Sequence, residues 1–334
     1  MIACVYGRAF APFVEPAARD LCAAAASVGG EMRALTLEAL LADRRLAADV
    51  HRLYVLPFDP PATMSPATMS HAGIVRELCP RAEVVISFAL QDLCWDKIAT
   101  QELLVERGLP VPDTLITSEP DDVHRFVQEH GFAILKERYA CGGQGHVVLW
   151  LEDEELVGDG GSHRYRMELV SHGRRRLEGE RLTYPAPFYL QRLVADIGPR
   201  GVFPGQVLRA YVIDGQIAFW TERYRDRYSR PSDWIINIGM GAKHRFLHDT
   251  SEEAKKVALR TAEVIGFRIG VVDLIRTGSD GPYVLEVDTD SYHMIIDRQF
   301  KHIPEYREFF NLDRYIAEAL LVEPADPRPR WRSA

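Results

Sequence analysis

The sequence predicts an α/β protein, with a parallel α/β unit over residues 1–90 and mixed α and β structure after it. Three observations predict this. Apolar strand-like runs alternate with helical stretches up to about residue 90, which implies a parallel sheet covered on both faces. A glycine-rich turn, Cys141-Gly-Gly-Gln-Gly145, lies between two strand-like runs. Further on, two apolar runs flank the turn Gly278-Ser-Asp-Gly-Pro282 and carry three acids, Asp273, Glu286 and Asp288.

Bulk properties bound the reading. At 334 residues the chain can hold two or three units with cores of their own. A net charge of −8 argues against a general nucleic-acid or membrane-surface binder. The five cysteines form no CxxC pair, which fits free thiols in a reducing cytoplasm. Zinc-ligand spacing is absent, the N-terminus lacks signal-peptide character, and no apolar run is long enough to span a bilayer.

In order, residues 2–6, 32–37, 52–58 and 83–88 read as strands, and 15–28, 38–48 and 71–78 as helices. A tandem duplication, Pro-Ala-Thr-Met-Ser at 61–65 and again at 66–70, reads as a surface loop; the other reading is a loop bordering a substrate site. A helix follows, with Gly108 at its C-terminus and Pro110 and Pro112 beyond it. Lys97 sits near the start of this helix, placed either to reach an anion at the helix N-terminus or to be solvated. A helix over 121–130 and a strand over 133–137 bring in Lys136. The glycine turn then leads into a strand at 147–151, which excludes a Rossmann fingerprint and a Walker A loop. It remains open as a plain hairpin turn or as a loop folding backbone N–H groups over phosphates.

Residues 156–182, with Arg174 to Arg176, are polar and read as an exposed loop or as part of a lobe surface. Strands follow at 189–194, 205–213 and 216–222, the last two joined by an Asp214-Gly215 turn. Simple hairpin counting pairs Ile213 with Gln216 and Arg209 with Trp220. Arg223 then faces away from Arg209 unless the strand bulges or ends. Residues 251–265 form an amphipathic helix with Ser251 as N-cap. In the acidic hairpin, pairing Gly278 with Tyr283 would set Asp273 opposite Asp288, with all three acids on one face. A solvated acidic face and an Mg²⁺ site both fit that arrangement.

The joint order of these features resembles the ATP-grasp superfamily, in its carboxylate–amine ligase branch, with glutathione synthetase and glutamate-adding ligases as look-alikes. The resemblance runs from about residue 86 to about 292. It implies an N-terminal α/β domain (1–90) and two ATP-grasp lobes (91–188 and 189–322); residues 323–334 read by composition as a disordered tail. By resemblance, Lys97 and Lys136 hold ATP phosphates, and Gly142, Gly143, Gln144 and Gly145 form the loop that closes over them. Gln191, Arg192, Leu193 and Val194 frame the adenine. Arg209 lies near the transferred phosphate and Arg223 near the substrate carboxylate, while Asn237, Asp273, Glu286 and Asp288 surround two Mg²⁺ ions, with Mn²⁺ as the alternative. The implied reaction joins a small-molecule or peptide carboxylate to an amine through an acyl phosphate, releasing ADP and phosphate. Homo-oligomerisation is a further implication of the family.

Two departures stand out. The family's last acidic strand reads Glu-x-Asn, whereas this chain has Glu286-Val-Asp288. The small-residue and proline stretch expected next is replaced by Thr289-Asp-Ser-Tyr-His-Met294, in a region that faces substrate in the family. A small-molecule kinase and a non-catalytic ATP-binding regulator are the competing readings. Asp273→Asn or Glu286→Gln is expected to abolish Mg²⁺-dependent turnover and leave the fold intact.

Overall fold

The structure, a computed structural model, describes residues 1–8, 11–56, 71–140, 143, 145–161, 163–199, 201–289, 304 and 311–322. The duplicated segment at 61–70, Gly142, Gln144, residues 290–294 and the tail at 323–334 lie outside them.

The N-terminal unit contains β1 (Ile2–Tyr6), α1 (Ala11–Ser27), β2 (Met32–Thr36), α2 (Leu37–Ala42), β3 (Arg52–Val55), α3 (His71–Leu78) and β4 (Glu83–Val84). Its sheet has the order β2-β1-β3-β4, and all neighbours are parallel, as expected. Every residue of β1 and β3 is buried, the pattern of strands covered on both faces. Helix α1 starts four residues before the expected start, and β4 is only two residues long.

Residues 88–106 form two helices rather than one, α4 (Phe88–Trp95) and α5 (Lys97–Glu106). Asp96 causes the break: it closes α4 in an extended conformation, and its carboxylate accepts from the Ala99 N–H at 3.2 Å to start α5. Lys97 thereby becomes the first residue of a new helix.

The central sheet has eight strands in the order β10-β11-β9-β8-β7-β6-β12-β5. They are β5 (Thr114–Thr117), β6 (Ala133–Leu135), β7 (Val147–Glu152), β8 (Glu155–Asp159), β9 (Arg164–Val170), β10 (Arg176–Glu178), β11 (Arg181–Pro185) and β12 (Phe188–Arg192). Helix α6 (Pro120–His130) covers one face through Val123, Phe126 and Val127, packed on Ala133, Leu135, Val147 and Leu149. Of the two readings of 156–182, the structure shows part of a lobe surface rather than an exposed loop. Leu156, Tyr165 and Leu182 turn into this core, while the charged residues between them face out.

After a small hairpin of β13 (Ala195–Gly198) and β14 (Gly201–Pro204) comes a five-stranded antiparallel sheet, β17-β16-β15-β18-β19. Its strands are β15 (Gln206–Ile213), β16 (Gln216–Tyr224), β17 (Lys243–Leu247), β18 (Ile269–Arg276) and β19 (Tyr283–Asp288). Helix α7 (Glu252–Ile265) covers one face, with Ser251 capping it at 3.2 Å as expected. On the other side Tyr211, Ile213, Phe219 and Val271 share a core with β1 and α1 and with the last helix, α8 (Leu312–Leu321). Leu312, Ile316 and Leu320 from α8 thus tie the chain's two ends together. No helix among the described residues is long and apolar enough to cross a membrane.

Candidate active site

The central sheet presents a polar face opposite α6. Ile134 pairs with Gln191 on one side and with Val148 on the other, and Val148 pairs with Asp159. Residues paired across strands share a face, as do residues two apart, so Lys136 stands with Gln191 on this side. Accordingly, Lys136 Nζ donates to Gln191 Oε1 and lies 5.8 Å from the Tyr189 ring centre. Gln191 is fixed in turn, its Nε2 donating to Gln101 Oε1 at 3.0 Å. Lys136 is 9% exposed. Burial, with the nearby Lys97 acting in the same sense, draws its ammonium down to about 8 against the pull of Glu286 and Asp273.

Lys97 bridges the parts. From the first turn of α5 its ammonium donates to the Ala140 carbonyl, before the glycine turn, and pairs with Glu286 Oε1 at 2.7 Å. Burial pushes the Glu286 carboxyl up, but the combined pull of Lys97 and Lys136 wins and holds it below the usual range. Asp96 orders the same corner, its carboxylate accepting from Arg138 Nε at 2.9 Å.

The acidic hairpin carries its three acids on one face, as expected, in a different register. Asp273 lies opposite Glu286, and Val271 opposite Asp288. The turn is longer than expected, with Ile275 opposite Tyr283, and a bulge between Asp273 and Leu274 then moves Asp273 from Leu285 to Glu286 and so onto the acids' face. The Arg209 expectation is corrected likewise. Ile213 does pair with Gln216, but an irregularity between Tyr211 and Val212 sets Arg209 opposite Thr221 rather than Trp220. Thr221 and Arg223 are two apart, so the bulge turns Arg223 onto the Arg209 face.

Both arginines converge on Asp273. Arg209 donates to its two oxygens at 2.7 and 2.9 Å, and Arg223 Nη1 lies 3.1 Å from Oδ2. The three side chains are 3–6% exposed. Burial opposes ionisation of Asp273, yet the arginines hold it at about 2. Arg223 Nε and Thr221 Oγ1 are buried with no hydrogen-bond partner. Asp288 adds negative potential at Arg209.

Asn237 sits outside this knot of charge. Its Oδ1 accepts from the Gly239 N–H at 3.0 Å, starting a short 3₁₀ turn at Ile238–Met240. Gly143 lies against that turn: a Cβ at Gly143 would come within 3.0 Å of Asn237 Cβ. Gly145 is equally crowded by Glu137 and Arg175. Arg175 Nη1 donates to Glu137 Oε1 at 2.6 Å and to the Gly145 carbonyl at 3.2 Å, pinning the glycine turn. Arg192 leads out of the central sheet, paired with Asp113 and Asp280 at 2.8 Å each, and Leu193 and Val194 are buried behind it.

The site thus includes residues the sequence left without roles. Arg175 was hidden in a run of three arginines, and His146, Thr221 and His244 carry no motif. Asp96, placed between two helical runs, could have been recognised as a cap.

Among the described residues no group of three or more His, Cys, Asp or Glu side chains is gathered so as to hold a metal ion. The acids share a face without forming a cage. The donors nonetheless suit Mg²⁺, which usually takes one or two carboxylates and completes its shell with water and substrate phosphates. Glu286 and Asp288 project from the same side of β19.

No family model matches the chain. It is similar to the ATP-grasp ligase PsnB, solved with a minimal precursor, at TM-score 0.59 and 18% identity over 96% of this chain and 98% of that one. At that identity the likeness is one of fold: the chain has the ATP-grasp fold. In sequence it is similar to proteins named as α-L-glutamate ligases. It is 25% identical over 198 residues to the tetrahydromethanopterin:α-L-glutamate ligase of Methanocaldococcus jannaschii, covering 59% of each. With a probable α-L-glutamate ligase of Shewanella pealeana it shares 26% over 194 residues, which is 58% of this chain and 36% of that protein. The chain thus spans roughly a third to three-fifths of the length of these curated relatives.

Proposed function

We propose that this protein is an ATP-dependent carboxylate–amine ligase that forms an amide and releases ADP and phosphate. The observation that carries the reading is the 2.7 Å Lys97–Glu286 pair, which brings the helix before the central sheet to the acids of the last sheet across one cleft. Lys136 and the Arg209–Arg223 pair look onto the same charge cluster. In this reading residues 1–90 precede two lobes, 91–188 and 189–322, with β12 at the start of the second completing the sheet of the first.

Lys97 and Lys136 bind the triphosphate. The glycine turn, with Gly142 and Gln144 beside Gly143 and Gly145, donates backbone N–H groups over it. Gln191 to Val194 border the adenine. Glu286 and Asp288 would hold Mg²⁺. A second ion, or Mn²⁺ in place of Mg²⁺, would draw on Asp273 only if Asp273 gave up a bond to Arg209 or Arg223, and on Asn237 only if its Oδ1 left the Gly239 N–H. When bound, Mg²⁺ offsets charge on the β- and γ-phosphate oxygens.

A substrate carboxylate oxygen attacks the γ-phosphorus, and the bond to the ADP oxygen breaks. Arg209 stabilises charge on the transferring group, and Arg223 orients the carboxylate. An amine nitrogen then attacks the acyl carbon, phosphate leaves, and the nitrogen gives up its proton. Closure of the glycine turn keeps water from the acyl phosphate. Similarity to α-L-glutamate ligases favours glutamate as one substrate, and the solved complex of PsnB with a precursor peptide favours a peptide as the other. The thiols of Cys4, Cys22 and Cys79 are free, which fits a cytoplasmic protein.

The test is ADP release with Mg²⁺ over a panel of carboxylates and peptides, with and without amines. Amine-dependent turnover with an amide seen by mass spectrometry supports ligation. A stable phosphorylated product would make the protein a kinase, and ATP binding without turnover a regulator.

A further inference from the structure

Among the residues around the cleft, His146 has no assigned part in this chemistry. It stands where the glycine turn rejoins the central sheet, its backbone N–H donating to the Gly143 carbonyl at 3.3 Å. It precedes Val148 by two residues, and Val148 pairs with Ile134, itself two residues before Lys136. The imidazole therefore belongs to the polar face that carries Lys136. Its Nδ1 is buried and has no hydrogen-bond partner. A buried polar atom left unmatched is costly and marks a place where a ligand atom belongs.

The charges around it say what kind. From the end of β6 comes Lys136, from α5 Lys97, and from the turn between β9 and β10 Arg175. The acids nearby are engaged elsewhere: Glu137 by Arg175 at 2.6 Å and Glu286 by Lys97 at 2.7 Å. Burial first, then these three cations, keep His146 well below the usual imidazole range, so the ring is neutral. A neutral ring with an unmatched nitrogen, facing three cations, is complementary to an oxyanion of high charge.

We infer that His146 is a ligand to the nucleotide's phosphates and takes up a proton as they bind. This rests on the nucleotide-binding reading above. A triphosphate reverses the sign of the local field. The imidazolium, costly among three cations, then becomes the favoured form and donates a charge-assisted hydrogen bond. Nucleotide affinity should accordingly rise as the pH falls through the neutral range.

The experiment is calorimetric titration of the full chain with ATP and Mg²⁺, without carboxylate substrate, near neutral pH in two buffers of different ionisation enthalpy. The wild type should take up a substantial fraction of a proton per ATP. His146→Gln should lose most of that uptake and bind ATP about tenfold more weakly. His146→Asn serves as the second variant, and thermal melts verify the folding of both. Inorganic tripolyphosphate should reproduce the wild-type uptake. Equal uptake in wild type and His146→Gln, or wild-type binding with no uptake, would overturn the inference. So would uptake with ATP but none with tripolyphosphate. Absence of ATP binding by the wild type would instead overturn the nucleotide site, and this inference with it.

Discussion

Arg209 closes on Asp273 with two parallel hydrogen bonds, Nε to Oδ1 at 2.7 Å and Nη2 to Oδ2 at 2.9 Å. Arg223 leans on the same carboxylate at 3.1 Å, so one buried anion serves two buried cations. Asp273→Asn therefore leaves two buried arginines facing each other without the carboxylate that binds both, with only Glu286 and Asp288 nearby. The structure argues against the expectation that this variant keeps its fold intact: a loss of about 3–5 kcal/mol is expected. Arg223→Met removes the surplus cation and keeps the bidentate pair, so its loss should be much smaller. Urea unfolding of the two variants checks the order, and equal losses would contradict it.

A second consequence concerns acid. His244 lies opposite Arg223 in the β16–β17 pair, and burial, then Arg223 and Arg209, push its imidazole down to about 3. Below pH ~6.5 the unfolded chain binds a proton there that the folded chain refuses. Stability tied to this group is fully present above that pH and is lost as the pH falls toward 3, by at most about 1.4 kcal/mol per pH unit. His146 contributes with the same sign. Melting temperatures between pH 7 and 4 should fall, and His244→Gln should flatten part of that slope.

Which parts were legible in the sequence follows from how each is determined. Lys136 was readable because strand alternation and the covering helix α6 leave one polar face. The shared face of Glu286 and Asp288 was readable because it depends on period two. That Asp273 joins them, opposite Glu286 rather than Asp288, was not, since it depends on a longer turn and on a bulge after Asp273 that carries no local marker. The same holds for Arg223, whose facing depends on a bulge at Tyr211/Val212 in a run without glycine. Strands β8 to β11 escaped notice because much of their charged surface faces solvent, and pairing partners rather than composition define them.

Lys136 supplies a prediction from the opposite side of neutrality. Its folded-state value of about 8, below that of a free lysine, means the ammonium discharges as the pH rises through 8. An ATP site that depends on this charge should show KM for ATP rising above pH 8. Lys136→Met should raise KM at least tenfold at pH 7 and abolish that alkaline dependence. Initial rates of ADP release over pH 6.5–9.5 measure both. An unchanged alkaline limb in the variant would assign it to another group.

The glycine turn can be probed by separating backbone strain from contact. Gly143 has φ +74° and approaches Asn237 so closely that a Cβ would come within 3.0 Å of it, and within 3.2 Å of Met240 Cγ. Gly179, with φ +59°, has nothing within 4 Å of its Cβ position. Alanine at either site incurs the left-handed penalty of about 1 kcal/mol. Only at Gly143 must the turn also move away from the Ile238–Met240 segment. Gly143→Ala should therefore raise KM for ATP several-fold and increase hydrolysis uncoupled from amide formation, because the turn no longer seals the cleft. Gly179→Ala should lose similar stability and keep wild-type kinetics. If both variants behave alike in a coupled ADP and amide assay, the approach of Gly143 to Asn237 has no part in closure.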